Sequence, residues 1–142
     1  RRPLPSYSLA TIKQEVKTEL QAKHLINIDD TKCPPETDEA FNKWYDEDRI
    51  PANMKFKGLD GVTRYKLASS GDLGTKTQRA IKVKEYPNYL TFYYFKDIPT
   101  AEVYDISPEC VGVRYDWENV QKESGALHLW RGRYEPLKTW QK

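Results

Sequence analysis

Apolar and polar positions alternate in four segments of the chain, and this period of two is typical of β-strands. The clearest segment is 89–95, where nearly every side chain is β-branched or aromatic. The predicted strands cover residues 24–29, 62–67, 89–95 and 127–134.

Apolar residues at helical spacing predict helices before and between these strands. Residues 9–20 carry an apolar stripe, which packs either on its own domain or on a partner subunit. Thr37 is a candidate N-cap for a midchain helix that runs to about Ile50 and is stopped by Pro51. Two further short helices are predicted at residues 99–106 and 116–123.

The order strand, helix, strand, strand, helix, strand is that of the ferredoxin-like α+β fold, an antiparallel sheet with helices on one face. We expect residues 1–22 to form a tail and an extra N-terminal helix, and residues 23–142 to form a single domain. This plan leaves one face of an aromatic-rich sheet bare, which favours aggregation unless a second subunit covers it. The sequence therefore predicts a homodimer joined sheet to sheet.

The composition of the 142 residues is typical of one domain, and its aromatic content favours a binding cavity or a buried interface. Aromatic residues make up 13% of the chain, and such side chains often line pockets for flat organic ligands. The net charge is only +2 and no basic stripe is present, which argues against a nucleic-acid partner. No apolar run approaches the ~20 residues that cross a bilayer, so we expect no membrane partner.

The two cysteines, Cys33 and Cys110, form no CxxC motif, zinc-binding spacing or disulfide framework. We therefore expect two separate reduced thiols and a cytoplasmic location. Two histidines without a neighbouring acidic cluster make a poor metal site, so we expect neither a metal nor another cofactor.

The midchain helix contains the first group of candidate functional residues. Phe41, Trp44, Tyr45 and Asp48 lie at spacings that place them on one helix face. If the aromatic side chains exclude water from Asp48, its pKa is raised. A carboxyl group with a raised pKa can act as a general acid. Alternatively the stripe is core, and Asp48 lies at its solvated end, paired with an arginine.

Residues 41–51, followed by Gly58 and the pair Arg64 and Tyr65, resemble the signature of the EthD-like proteins, which belong to the dimeric α+β barrel superfamily. The usual pattern there is Phe, two residues, Trp-Tyr-Asp, one residue, Glu-His-Ile-Pro, then a Gly and an Arg-Tyr strand. The resemblance covers residues 23–95 best. It implies a dimeric barrel and, by analogy with fungal members of natural-product pathways, a cofactor-free cyclase, decarboxylase or dehydratase. Other members of the superfamily are monooxygenases of aromatic polyketides, and some bind haem.

This chain departs from the family pattern at one important position. The family's histidine is replaced by Arg49, and the glutamate before it by Asp48. A guanidinium stays protonated, so Arg49 cannot act as a base. It could instead bind a carboxylate or stabilise an enolate oxygen.

Histidines and tyrosines on the predicted strands are the other candidates. His24 and His128 fall on the first and last strands, which are neighbours in this fold, and either is a candidate general base or a satisfied structural histidine. Period two places His128, Trp130 and Tyr134 on one face. On the third predicted strand, Tyr89, Thr91, Tyr93 and Phe95 share one face and Leu90, Phe92 and Tyr94 the other. One set should line the cavity and the other should face the partner, and tyrosine hydroxyls can polarise a carbonyl.

The leading hypothesis is a homodimeric, cofactor-free enzyme of secondary metabolism that cyclises, dehydrates or isomerises a hydrophobic oxygenated substrate, polyketide-like or terpenoid-like, in an aromatic pocket. The alternatives are a non-catalytic binding or dimerisation module and a haem or oxygenase protein of the same fold. Residues 71–76 lack Walker spacing and are interpreted as a mobile loop, a candidate lid. The candidate catalytic residues are His128, Asp48, Arg49 and Tyr93. The candidate substrate-binding residues are His24, Phe41, Trp44, Tyr45, Arg64, Tyr65, Tyr89, Phe92, Tyr94 and Trp130.

Overall fold

The computed structural model describes residues 24–68 and 86–142, apart from the side chains at positions 114 and 115. The strands of these residues are β1 (Leu25–Lys32), β2 (Leu59–Lys66), β3 (Tyr89–Phe95) and β4 (Leu127–Tyr134). They form one antiparallel sheet in the order β2-β3-β1-β4, with helices packed on one face. The predicted ferredoxin-like α+β fold is confirmed. The predicted N-terminal helix and the loop at 71–76 lie outside the described residues.

The helices form two crossovers. The first consists of a 3-10 turn (Pro35–Thr37), α1 (Asp38–Trp44), a π turn (Tyr45–Arg49) and α2 (Ile50–Asn53). The second consists of α3 (Ile98–Asp105) and α4 (Pro108–Ser124).

Helix α4 is longer than the predicted 116–123, because its N-terminal signal lies well upstream. The hydroxyl oxygen of Ser107 accepts a hydrogen bond from the backbone N–H of Cys110, which caps the helix. Pro108 occupies the first helical position, where its missing N–H costs nothing. Gly125 ends the helix with a φ of 71°, a left-handed conformation that glycine adopts without strain. The sequence prediction was therefore wrong about where this helix begins.

The π turn changes which side chains of the midchain helix face the sheet. The N–H of Ile50 donates to the carbonyl of Tyr45, five residues earlier rather than four. This wider turn shifts the helix phase by one residue, so that Arg49 reaches the buried side while Asp48 is exposed. The helix also continues past Pro51 to Asn53, which contradicts the predicted stop. We attribute this to the wider turn, which relieves the clash between the proline ring and the preceding carbonyls.

The two faces of the sheet differ in an unexpected way. On β1 the buried side chains beneath the helices are Leu25, Asn27, Asp29 and Thr31, of which three are polar. The opposite surface, which we call the open face, is largely apolar. Its principal members are Ile26, Ile28, Tyr65, Leu90, Phe92, Tyr94, Trp130 and Tyr134.

A β-bulge at Leu129 interrupts β4 where it pairs with β1. The additional residue moves the side chains before and after it to opposite faces of the sheet. His128 therefore faces the helices, with its ring centroid 6.2 Å from that of Trp117. Trp130 and Tyr134 lie on the open face, so the prediction that one face carries all three residues is wrong.

Candidate functional site

A fully buried carboxylate is the centre of a polar cluster under the helices. Asp29 on β1 is 0% exposed, and each of its two oxygens accepts a hydrogen bond from a different arginine. Arg49 Nη2 lies 3.3 Å from Asp29 Oδ2, and Arg131 Nε lies 3.0 Å from Asp29 Oδ1. The side chain of Arg49 is 12% exposed and that of Arg131 is 42% exposed. We call Asp29, Arg49 and Arg131 the arginine centre; it carries two positive charges on one carboxylate.

Aromatic rings surround the guanidinium of Arg49. Its central carbon lies 5.5 Å from the ring centroid of Trp44, 5.1 Å from that of Tyr45 and 5.4 Å from that of Trp117. Each contact is a favourable cation–π interaction, and such contacts are stronger where water is excluded. The Nε of Arg49 also donates to the hydroxyl of Tyr93 at 3.3 Å. Arg49 is thus held by packing as well as by charge.

Tyr93 places a protonated phenol against the arginine centre. Burial raises the pKa of Tyr93 well above its usual value because the phenolate is poorly solvated, although the charge of Arg49 opposes this. Since its oxygen accepts from Arg49, its own O–H remains able to donate. Tyr93 is therefore a hydrogen-bond donor rather than a base at neutral pH.

His128 lies on the same side of the sheet, close to the arginine centre. Burial lowers the pKa of His128, and the positive charges of Arg131 and Arg49 lower it further, against the opposing effect of Asp29. At neutral pH this imidazole is therefore uncharged and able to accept a proton. Its partner across the strands is Thr31, whose buried hydroxyl finds no hydrogen-bond partner among the described residues.

A second polar cluster lies where α1 crosses β2 and β3. The hydroxyl of Tyr89 donates to Asp38, and Asn42 donates to that hydroxyl at 2.9 Å. Asn42 also accepts from Arg64 at 2.9 Å, and the Arg64 guanidinium lies 4.0 Å from the ring centroid of Tyr45. These hydrogen bonds join α1 to β2 and β3, so the cluster holds α1 against the sheet, although the buried Nε of Arg64 has no partner among the described residues.

The predicted aromatic pocket wall is mainly core. Phe41 and Tyr45 are almost completely buried, and their rings contact each other at 5.0 Å between centroids. The Phe41 ring also lies 5.6 Å from that of Tyr89 and 6.1 Å from that of Trp117. The aromatic stripe of the helix therefore fills much of the space that the sequence interpretation assigned to a ligand.

A groove of about 530 Å³ lies on the outer side of the helix layer, away from the sheet. Trp44 and Val120 contribute apolar surface to it, while Asp48, Glu47 and Asp116 contribute carboxylates. Asp48 is exposed there, at the solvated end of the stripe.

The structure distributes the candidate residues among three places. On the helix side of the sheet lie Phe41, Tyr45, Arg49, Arg64, Tyr89, Tyr93 and His128. On or beside the open face lie His24, Tyr65, Phe92, Tyr94 and Trp130. Trp44 and Asp48 line the outer groove, although the Trp44 ring also contacts Arg49.

The sequence analysis missed Asp29, Arg131 and Trp117. Asp29 lies on a predicted strand, on the same face as Asn27. Alternation does not say which face of the strand the helices cover, so the burial of Asp29 could not be predicted. Arg131 follows the bulge in β4, and no sequence pattern predicts that bulge. The face of the sheet on which Arg131 lies could therefore not be assigned from the alternation. Trp117 lies on α4 within the predicted helix, but its partner residues could not be known without the fold.

Neither a metal cluster nor a membrane-spanning helix is found in the described part of the chain. Within residues 24–68 and 86–142, no group of three or more His, Cys, Asp or Glu side chains is arranged to hold a metal ion. In the same residues no helix has the length and apolar character needed to cross a bilayer.

Comparison with known proteins supports the fold. No protein-family description matches the chain, and no curated protein matches it significantly. Among solved structures, it is similar to an ethyl tert-butyl ether D (EthD) family protein from Bacillus halodurans, with a TM-score of 0.52 and 15% sequence identity. The match covers 80% of this chain and 99% of that one. At this identity the likeness shows a shared fold and nothing further.

Proposed function

We propose that this chain is a cofactor-free acid–base catalyst of the lyase, isomerase or cyclase kind, acting on a hydrophobic oxygenated molecule of polyketide-like or terpenoid-like chemistry. One observation carries the proposal: an uncharged, half-buried His128 lies near a buried centre with more positive than negative charge. A neutral base beside excess positive charge suits proton removal next to a carbonyl, because the enolate oxygen that forms is stabilised where it develops.

Each polar group has a defined role in this proposal. His128 removes and returns the proton, and the positive potential of the arginine centre as a whole stabilises the oxyanion. Arg49 holds Asp29 and the surrounding rings in place and adds to the positive potential. Tyr93 accepts a hydrogen bond from Arg49 and keeps its phenolic O–H as a donor. The exposed position of Asp48 gives no support to a role for it in this centre.

We also propose that the chain is a homodimer joined through the open face. In one chain Trp130 is 57% exposed, and the Tyr65 and Phe92 rings pack against each other on the same surface. A continuous apolar surface of this kind usually marks an interface. Replacing Phe92 by Glu should convert dimer to monomer in analytical ultracentrifugation, whereas replacing the exposed Lys96 by Glu should not. A wild-type protein that sediments as a monomer would contradict the proposal.

The catalytic proposal is tested by proton exchange, which needs no knowledge of the natural substrate. Benzoylacetone, a flat β-diketone, serves as the probe, and deuterium incorporation at its central carbon is followed by NMR in D₂O. The wild-type protein should accelerate exchange above the buffer rate. His128→Gln should reduce the protein-catalysed rate by roughly 10²-fold or more, the usual contribution of a general base. Arg133→Gln, on the same strand, is the control and should retain the rate.

A non-catalytic dimerisation module of the same fold is the second candidate, and the packing of Phe41, Tyr45 and Trp117 favours it because those rings take up ligand space. In that case benzoylacetone exchange would proceed at the buffer rate with wild-type protein. A visible absorption band in the purified protein would instead support the haem hypothesis.

A further inference from the structure

We propose that the ligand of this site carries a carboxylate, which binds end-on to the guanidinium of Arg131. This inference rests on the location of the proposed active site but not on its acid–base chemistry. Arg131 was not among the residues that the sequence identified as candidates.

Among the described residues, two arginines share one carboxylate at this site, so one positive charge is left without a counter-charge. Asp29 is shared between Arg49 and Arg131, at 3.3 Å and 3.0 Å. By contrast Arg133, two residues further along β4, has its own carboxylate, since its Nη2 lies 2.6 Å from Asp105 Oδ2. Uncompensated positive charge near a buried site attracts an anion of matching charge, and a carboxylate carries one negative charge.

The hydrogen bonds of Arg131 leave its carboxylate-binding edge available. Only its Nε is used on Asp29, and among the described residues neither terminal nitrogen has a further hydrogen-bond partner. These two nitrogens form the planar fork that binds a carboxylate through two parallel hydrogen bonds. With 42% of the side chain exposed, this edge is accessible from solvent. Arg49 is different, because it is 12% exposed and enclosed by rings.

The neighbouring groups are arranged for an organic acid rather than for an inorganic anion. The half-buried ring of His128 lies on the same side of the sheet as Arg131, where the body of an aromatic or hydrophobic acid can pack against it. The buried Thr31 hydroxyl lacks a partner among the described residues, and buried polar groups normally have one. A second oxygen of the same ligand would satisfy it.

The probe is benzoate, with benzamide as a neutral molecule of the same shape, and binding is measured by calorimetry. Wild-type protein should bind benzoate about tenfold more tightly than benzamide, since charge-assisted hydrogen bonds are worth that much or more. Arg131→Gln should abolish this preference. Arg133→Gln is the matched control and should retain it.

Two results would overturn the inference: equal binding of benzoate and benzamide by the wild type, or a preference that survives Arg131→Gln. If that variant fails to fold, the inference is tested instead by the Nε–H NMR signal of Arg131 in the wild-type protein. It should shift with benzoate and not with benzamide, and an unchanged signal refutes the proposal. If the wild-type protein prefers benzoate through Arg131 but does not accelerate deuterium exchange of benzoylacetone, the catalytic proposal is refuted. The carboxylate-binding proposal is then still supported.

Discussion

Replacing Asp29 by Asn tests the energetic importance of the arginine centre. The substitution preserves the size of the side chain and removes its charge. The amide can still accept a hydrogen bond from one arginine, but its NH₂ group must face the other. The buried Arg49 guanidinium, 12% exposed, then has no counter-charge at 3.3 Å.

The expected cost follows from the burial of the partners. Removing one member of a buried ion pair costs about 3–5 kcal/mol, because the remaining charge stays desolvated. Arg131 is 42% exposed and can turn towards water, so its part is small and the lower end of the range applies. We expect the free energy of unfolding to fall by about 3 kcal/mol, which corresponds to a decrease of roughly 6–12 °C in Tm for a domain of this size.

The assay is urea unfolding followed by tryptophan fluorescence, for which the buried Trp117 is an internal reporter. Asp48→Asn is the control, because it makes the same chemical change at an exposed carboxylate, and it should cost about 0.5 kcal/mol or less. In the double variant Asp29→Asn with Arg49→Met, the loss should be about 2 kcal/mol smaller than the sum of the single losses, since no buried charge is left unpaired. A loss below about 1 kcal/mol for Asp29→Asn alone would refute the reasoning.

Two further predictions concern pH and backbone conformation. The folded-state pKa of His128 is lowered, so the unfolded chain binds more protons below about pH 6.5 and the free energy of unfolding should fall there. His128→Gln should make that acid-side decrease shallower in urea titrations at pH 7.5 and 5.5, and an identical decrease in both proteins would contradict the assignment. Gly125→Ala should cost about 1–2 kcal/mol, because φ is 71° and the new Cβ would lie 3.3 Å from Pro34. Gly112→Ala, at an exposed helical position with no atom within 4 Å, should instead add about 0.5–1 kcal/mol by thermal melting, and equal effects at the two glycines would refute the distinction.

The sequence predicted the elements well where one strong local signal decided them. Strands β3 and β4 have the bounds that alternation predicted. Their aromatic and other large side chains favour the pleated surface of a strand. Helix α4 was predicted too short, because its cap at Ser107 was overlooked and its first half contains Gly112 and two valines, which are poor helix formers.

The candidate site was predicted less well, and two local irregularities explain most of the difference. The π turn moved Arg49 inward and Asp48 outward, and the bulge at Leu129 separated His128 from Trp130. Each irregularity inserts one residue, and a periodic pattern cannot show such an insertion. Arg49 was nevertheless identified as a candidate, because its type and its place in the resemblance did not depend on helix phase.

The π turn also affects how this chain should be aligned with other proteins of the same fold. A π turn is geometrically an α-helix that has gained one residue while keeping both ends in place. Deleting a single residue between 45 and 49 could therefore restore regular α spacing without moving the flanking segments. Alignments with proteins of the same fold should accordingly allow a one-residue gap within this turn. Residues after the turn should be matched by the direction in which their side chains point, rather than by counting along the chain from Trp44.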